Sequence, residues 1–85
     1  MDISREEQRV LHVLAQGGEI RPIKCEPGRI RGVQWLNRDG WAMPGLDLGL
    51  FRRLKRRRTI GSQGGQPYRI TRRGLELVRS QHDNR

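Results

Sequence analysis

Almost every side chain in the second half of this 85-residue chain that can do chemistry is a cation. Between Leu48 and Leu77 stand Arg52, Arg53, Lys55, Arg56, Arg57, Arg58, Arg69, Arg72 and Arg73, with Glu76 as the one acid among them. Their chemistry is recognition of anions: they neutralise phosphates or carboxylates and draw polyanionic partners in from a distance. Other chemistry has little to work with. Nucleophilic catalysis needs a Ser or Cys beside an oriented base, and the two histidines, His12 and His82, lie near opposite ends without motif context. One cysteine, Cys25, and scattered histidines cannot make a zinc spacing. The glycines of Gly61 to Gly65 are not followed by the Lys-Ser/Thr of a phosphate loop. The pattern predicts a binding protein, not an enzyme, with no cofactor and no metal.

These cations need a scaffold, and the residues between them describe one. Leu50, Phe51 and Leu54 recur one helical turn apart, with Arg52, Arg53, Lys55, Arg56 and Arg57 mostly on the other side. A short helix over residues 48 to 57 follows, apolar beneath and cationic above, with Asp47 as its N-cap. Gly49 in its first turn disfavours it by up to ~1 kcal/mol relative to Ala. Thr59-Ile60 and Tyr68-Arg69-Ile70 have the β-branched and aromatic make-up of two brief strands around the turn-rich Gly61 to Pro67. Thr71 is placed to cap a last helix whose apolar face begins with Leu75, Leu77 and Val78.

The first half supplies support. Ser4-Arg5-Glu6-Glu7 is a capping box, so a helix should run from about Arg5 to Gln16, burying Val10, Leu11 and Leu14 with Val13 beside them. His12 falls off that stripe, on the surface. From Glu19 onward the pattern turns strand-like: Ile20 to Cys25 and Ile30 to Leu36 flank Glu26-Pro27-Gly28-Arg29, which suits a type II turn. Pro22 lacks an N–H and belongs on an edge. Asn37-Arg38-Asp39-Gly40 marks a second turn before Trp41-Ala42-Met43. Trp35 and Trp41 are expected to fill the core, base stacking being the other role open to them. Gln81 to Arg85 reads as a frayed polar tail.

Size and charge narrow the reading. The length suits a single domain over residues 1–85, small enough that homodimerisation or partner binding would add stability. Residues 1–50 hold seven basic and seven acidic residues; residues 51–85 hold eleven and two, so the net charge of +9 resides entirely in the second part. Such a division makes a directional field suited to DNA, RNA or an acidic protein. Met1 to Glu7 shows no basic leader followed by an apolar run, and no stretch approaches a membrane span. The expectation is a soluble cytoplasmic protein without membrane contact.

Helix, Gly-tipped hairpin, helix, carrying Leu-x-x-Leu and Tyr-Arg-Ile-Thr-x-x-Gly, resembles the recognition helix, wing and following helix of winged-helix domains. The expected fold is therefore α+β: N-terminal helix, antiparallel β-meander, basic helix, β-hairpin wing and C-terminal helix. Taken end to end, the chain resembles the YjhX family of bacterial toxins, inhibitors of DNA topoisomerase I. The resemblance rests on Met1 through Gly18, Leu36-Asn37-Arg38-Asp39-Gly40-Trp41, Phe51-Arg52-Arg53-Leu54 and Pro67-Tyr68-Arg69-Ile70-Thr71. It implies a toxin that binds DNA topoisomerase I, hinders its engagement with DNA, and is neutralised by a cognate antitoxin encoded beside it. Two alternatives stay open. The same nine cations would serve a winged-helix DNA-binding transcriptional regulator, and a run of basic residues is also what a solvated helix face or a basic adaptor looks like.

Overall fold

Ser4 and Glu7 start the first helix by satisfying each other's backbone: the Glu7 N–H donates to Ser4 Oγ at 3.1 Å and the Ser4 N–H to Glu7 Oε1 at 3.0 Å. The computed structural model describes residues 3–26 and 28–83. Helix α1 (Arg5–Ala15) buries Val10, Leu11 and Leu14 as its spacing requires, and adds Glu7 to its inner face.

Strands β1 (Glu19–Glu26), β2 (Arg29–Leu36) and β3 (Ala42–Met43) form an antiparallel meander in the order β1-β2-β3. Its register pairs Ile20 with Trp35 and Trp35 with Met43, which sets one apolar face. Pro22 lies on edge strand β1, where a missing donor is tolerated. At the first turn Pro27 lies outside the described residues, while Gly28 has φ +79°, the left-handed conformation that the third position of a type II turn demands. At the second turn Asn37 Oδ1 accepts from the N–H groups of Asp39 and Trp41 at 2.9 and 3.0 Å.

Asp47 caps α2 (Leu48–Arg56), its Oδ1 accepting from the Leu50 N–H at 2.8 Å. Beyond α2, strands β4 (Ile60–Gly61) and β5 (Arg69–Ile70) make a two-stranded antiparallel hairpin. Tyr68 exchanges backbone hydrogen bonds with Ile20 at 2.9 and 2.8 Å, so the hairpin leans on β1. Thr71 then caps α3 (Arg72–Asp83), its Oγ1 accepting from the Gly74 N–H. A Cβ on Gly74 would stand 2.5 Å from the Thr59 carbonyl oxygen, so this close approach of α3 to the chain before β4 requires glycine.

One core gathers Leu11 and Leu14 from α1, Ile20 from β1, Trp35 from β2, Leu50, Phe51 and Leu54 from α2, and Val78 from α3. Phe51 meets Tyr68 edge to face at 5.0 Å, and burial of each large apolar side chain stabilises by roughly 1.5–3 kcal/mol. The fold is α+β, with three helices and two antiparallel sheets among the described residues.

Three local expectations need correction. Trp41 is not a core residue: it is 72% exposed, because the Asn37 turn fixes its backbone at the rim while Trp35, 2% exposed, fills the interior. The first strand of the hairpin starts at Ile60 rather than Thr59, because Thr59 is occupied in ending α2, donating both N–H and hydroxyl to the Leu54 carbonyl. The tail is shorter than its polarity suggested, since α3 carries the backbone through Asp83; Asn84 and Arg85 lie outside the described residues.

Candidate functional site

Helix α2 sorts its residues by angle. With 3.6 residues per turn, Leu50, Phe51 and Leu54 point inward, and Gly49, Arg52, Arg53 and Arg56, spaced i, i+3, i+4 and i+7, form an exposed outer stripe. Arg53, Lys55 and Arg56 occupy the last turn, where cations are favoured by the helix dipole. Among the described residues Arg52, Arg53, Arg56 and Arg58 form no ion pair with a carboxylate. Lys55 Nζ lies 5.7 Å from the centre of the Tyr68 ring, a cation–π distance that holds it on the flank of the stripe.

Local chemistry explains where α2 stops. The N–H groups of Arg58 and Thr59 donate to the carbonyls of Lys55 and Leu54 at 3.0 and 3.1 Å, a Schellman-type exit. The residue at its left-handed position is Arg58, with φ +62°, the one non-glycine residue at positive φ among those described. A bulky side chain there opposes the backbone preference by roughly 1–2 kcal/mol. Thr71 reinforces the arrangement, its hydroxyl donating to the Arg58 carbonyl at 2.7 Å while its N–H donates to Thr59. The exit of α2 is thereby joined to the start of α3. There Arg72 and Arg73 occupy a first turn that itself contains no acid, the end of a helix where positive charge is disfavoured by ~0.3–1 kcal/mol per group. Arg72 meets Glu76 at 3.9 Å in an exposed i,i+4 pair, a contact worth little.

Three arginines of the candidate set are thus held where secondary structure alone would not put a cation. Two further members of the set pair with acids on other elements. Arg57 Nε lies 3.4 Å from Oε2 of Glu7, a carboxylate only 1% exposed, and so ties the end of α2 to the capping box of α1. Arg69 meets Glu19 at 3.0 Å, and Glu19 also binds Arg21. Both contacts brace the scaffold under the exposed cations.

Arg29 joins the set although its sequence position does not suggest it. The β1–β2 turn brings it to α2, where Arg29, Arg52 and Lys55 line a groove of about 290 Å³ floored by Ile30, Leu48 and Phe51. Among the described residues no carboxylate lines it. Counting charge by chain half hid this residue among balanced neighbours; an Arg directly after a Pro-Gly turn was the available signal. The nine cations named from sequence therefore divide: Arg52 and Lys55 share a groove with Arg29, Arg53 and Arg56 extend the stripe, the Arg58 backbone is tied to Thr71 at the start of α3, where Arg72 and Arg73 stand, and Arg57, Arg69 and Arg72 each meet an acid of the same chain.

Among the described residues no three His, Cys, Asp or Glu side chains gather in a way that could hold a metal ion. No helix among them is long and apolar enough to cross a membrane.

Over residues 1–85 the chain matches the family model of YjhX toxins, described as "putative toxin of bacterial toxin-antitoxin pair", and the chain belongs to this family. It is similar to the UPF0386 protein of Hyphomonas neptunium, 64% identical over 84 residues and covering 99% of both chains. It is 65% identical over 85 residues to the UPF0386 protein of Chelativorans sp., and 64% identical over 85 residues to that of Rhizobium etli, with both chains of each pair covered in full. No solved structure matches. Membership of a toxin–antitoxin family implies a cognate antitoxin as partner.

Proposed function

We propose that this protein is a toxin that inhibits DNA topoisomerase I by binding it and hindering its engagement with DNA, acting by contact and not by catalysis. The observation that carries the reading is the outer stripe of Arg52, Arg53 and Arg56, which forms no ion pair with a carboxylate among the described residues, beside Arg58 in a position its backbone disfavours. Cations kept against local preference are explained by a partner, not by the fold. A protein that grips DNA must itself offer a site for polyanions or a path along which they run. A rigid cationic face can compete there, either on acidic rims of the enzyme or on the DNA it must hold.

The test is a supercoil-relaxation assay with DNA topoisomerase I, run beside a pull-down. Inhibition with complex formation is expected, and the Arg52→Glu/Arg56→Glu double variant should lose both while keeping its fold. Normal relaxation at saturating protein, with no complex captured, removes the proposal.

A second reading is favoured by the order basic helix, Gly-tipped hairpin, helix: a winged-helix-like regulator that lays α2 in a major groove, whose ~12 Å width admits a helix. Gel shifts on duplex DNA at two salt concentrations separate the readings, because neutralising several phosphates makes affinity fall steeply with salt. No shift at low salt rejects the regulator.

A further inference from the structure

We propose that the trough between α1 and the β2–β3 ribbon is a second binding surface, fitted to an acidic polypeptide segment with an apolar anchor. Its volume is about 410 Å³; Val13, Trp35 and Met43 make the floor, and Arg5, Arg9 and His12 make the rim. The rim residues recur at i, i+4 and i+7 on α1, so three cationic or protonatable groups line one edge, and among the described residues no carboxylate lines the trough. Arg5 and Arg9 are exposed and have no ion-pair partner among the described residues. None of the lining residues belongs to α2, and the inward stripe of α1 is already consumed by the core, so the trough is separate from both.

The chemistry selects the occupant. A phosphodiester backbone would meet the arginines and leave the exposed parts of Val13 and Met43 in water; a purely apolar ligand would strip water from the guanidinium rim without return. A polypeptide carrying carboxylates around one or two aliphatic residues satisfies both. Trp35 adds an independent sign, because its indole N–H is buried without an acceptor among the described residues, in a class of groups that is nearly always paired. A carboxylate or carbonyl oxygen of the bound segment is the kind of acceptor that this N–H lacks. The owner of such a segment in a toxin–antitoxin family is the antitoxin; that attribution rests on the family reading, whereas the chemistry of the trough does not. An antitoxin seated here would hold the chain and leave the α2 stripe uncovered.

Trp41→Phe leaves Trp35 as the sole tryptophan and makes its fluorescence the readout. The probes are end-capped hexapeptides of alternating Glu and Leu, alternating Lys and Leu, and Glu alone. The Glu-Leu peptide is expected to shift Trp35 emission saturably, the Glu peptide to bind at least ~tenfold more weakly and the Lys-Leu peptide not at all. Arg5→Glu/Arg9→Glu should weaken Glu-Leu binding by at least ~tenfold, and Arg52→Glu/Arg56→Glu by less than ~threefold. Arg5→Glu places an acid in the first turn of α1, where it is favoured, and a melting curve verifies the fold. No saturable shift, an equal response to the Lys-Leu or the all-Glu peptide, or loss of binding through the α2 variant instead would each overturn the proposal. Failure of topoisomerase inhibition bears on the α2 face alone and leaves these outcomes readable.

Discussion

Helices α1 and α2 begin by the same device, an oxygen accepting from the first turn, and both bury three aliphatic or aromatic residues at helical spacing. They differ in what else they carry. In α1 the acids Glu6 and Glu7 stand at the N-terminus beside Arg5 and Arg9, and Glu7 is drawn under the surface to meet Arg57. In α2 no residue is acidic, and the outer stripe bears arginines without an ion-pair partner among the described residues. Charges of α1 are thus partly used in building the domain, while those of α2 are set on top of it. A cation that the fold does not use can change sign at little structural expense, and any large effect of changing it must come through a partner.

That contrast can be broken by substitution. Removing an inward residue of α2 should do most damage: Leu54→Ala, at a site with no exposure, is expected to destabilise by ~2–5 kcal/mol in chemical denaturation. Next is Glu7→Ala, which removes half of the capping box and leaves the Arg57 guanidinium, about a third exposed, without its carboxylate; a loss of ~2–3 kcal/mol is expected by the same measurement. A change below ~0.5 kcal/mol there would mean that α1 uses its charges no more than α2 does. Arg58→Gly should act in the opposite direction and raise stability by ~1 kcal/mol, since glycine accepts φ +62° freely, while weakening inhibition. Gly49→Ala should likewise stabilise by up to ~1 kcal/mol, because the new Cβ would meet only Asp47 Oδ1 at 3.5 Å. Smallest of all in stability is Arg52→Glu/Arg56→Glu, within ~0.5 kcal/mol by thermal melt, despite loss of function. A drop of several kcal/mol in that variant would show the stripe to be part of the scaffold.

Much of the architecture was legible because its signals are local. Ser4 and Glu7, Asp47, Asn37 and Thr71 each cap or turn the chain through atoms within four residues, so their roles follow from spacing. The apolar stripes of α1 and α2 follow from the helical period for the same reason. Trp35 and Trp41 were less tractable: both are large and aromatic, and which one is buried depends on the register that pairs Trp35 with Ile20 and Met43 and leaves Trp41 at the turn. The candidate site was legible as a composition and not as a surface. All nine cations could be named, yet Arg57 and Arg29 exchange roles once the chain is folded, one turning to a buried acid and the other joining the groove beside α2.

Residue order by itself determined the succession of elements, the helix starts and the excess of positive charge in the second half, because each depends on neighbours a few positions apart. Tertiary structure alone decided which charges remain available. Glu7 and Arg57 are fifty positions apart in the chain and meet at 3.4 Å only because α1 and α2 share one core; Arg29 reaches Arg52 and Lys55 for the same reason. Electrostatic pairing falls with distance through space and takes no account of distance along the chain.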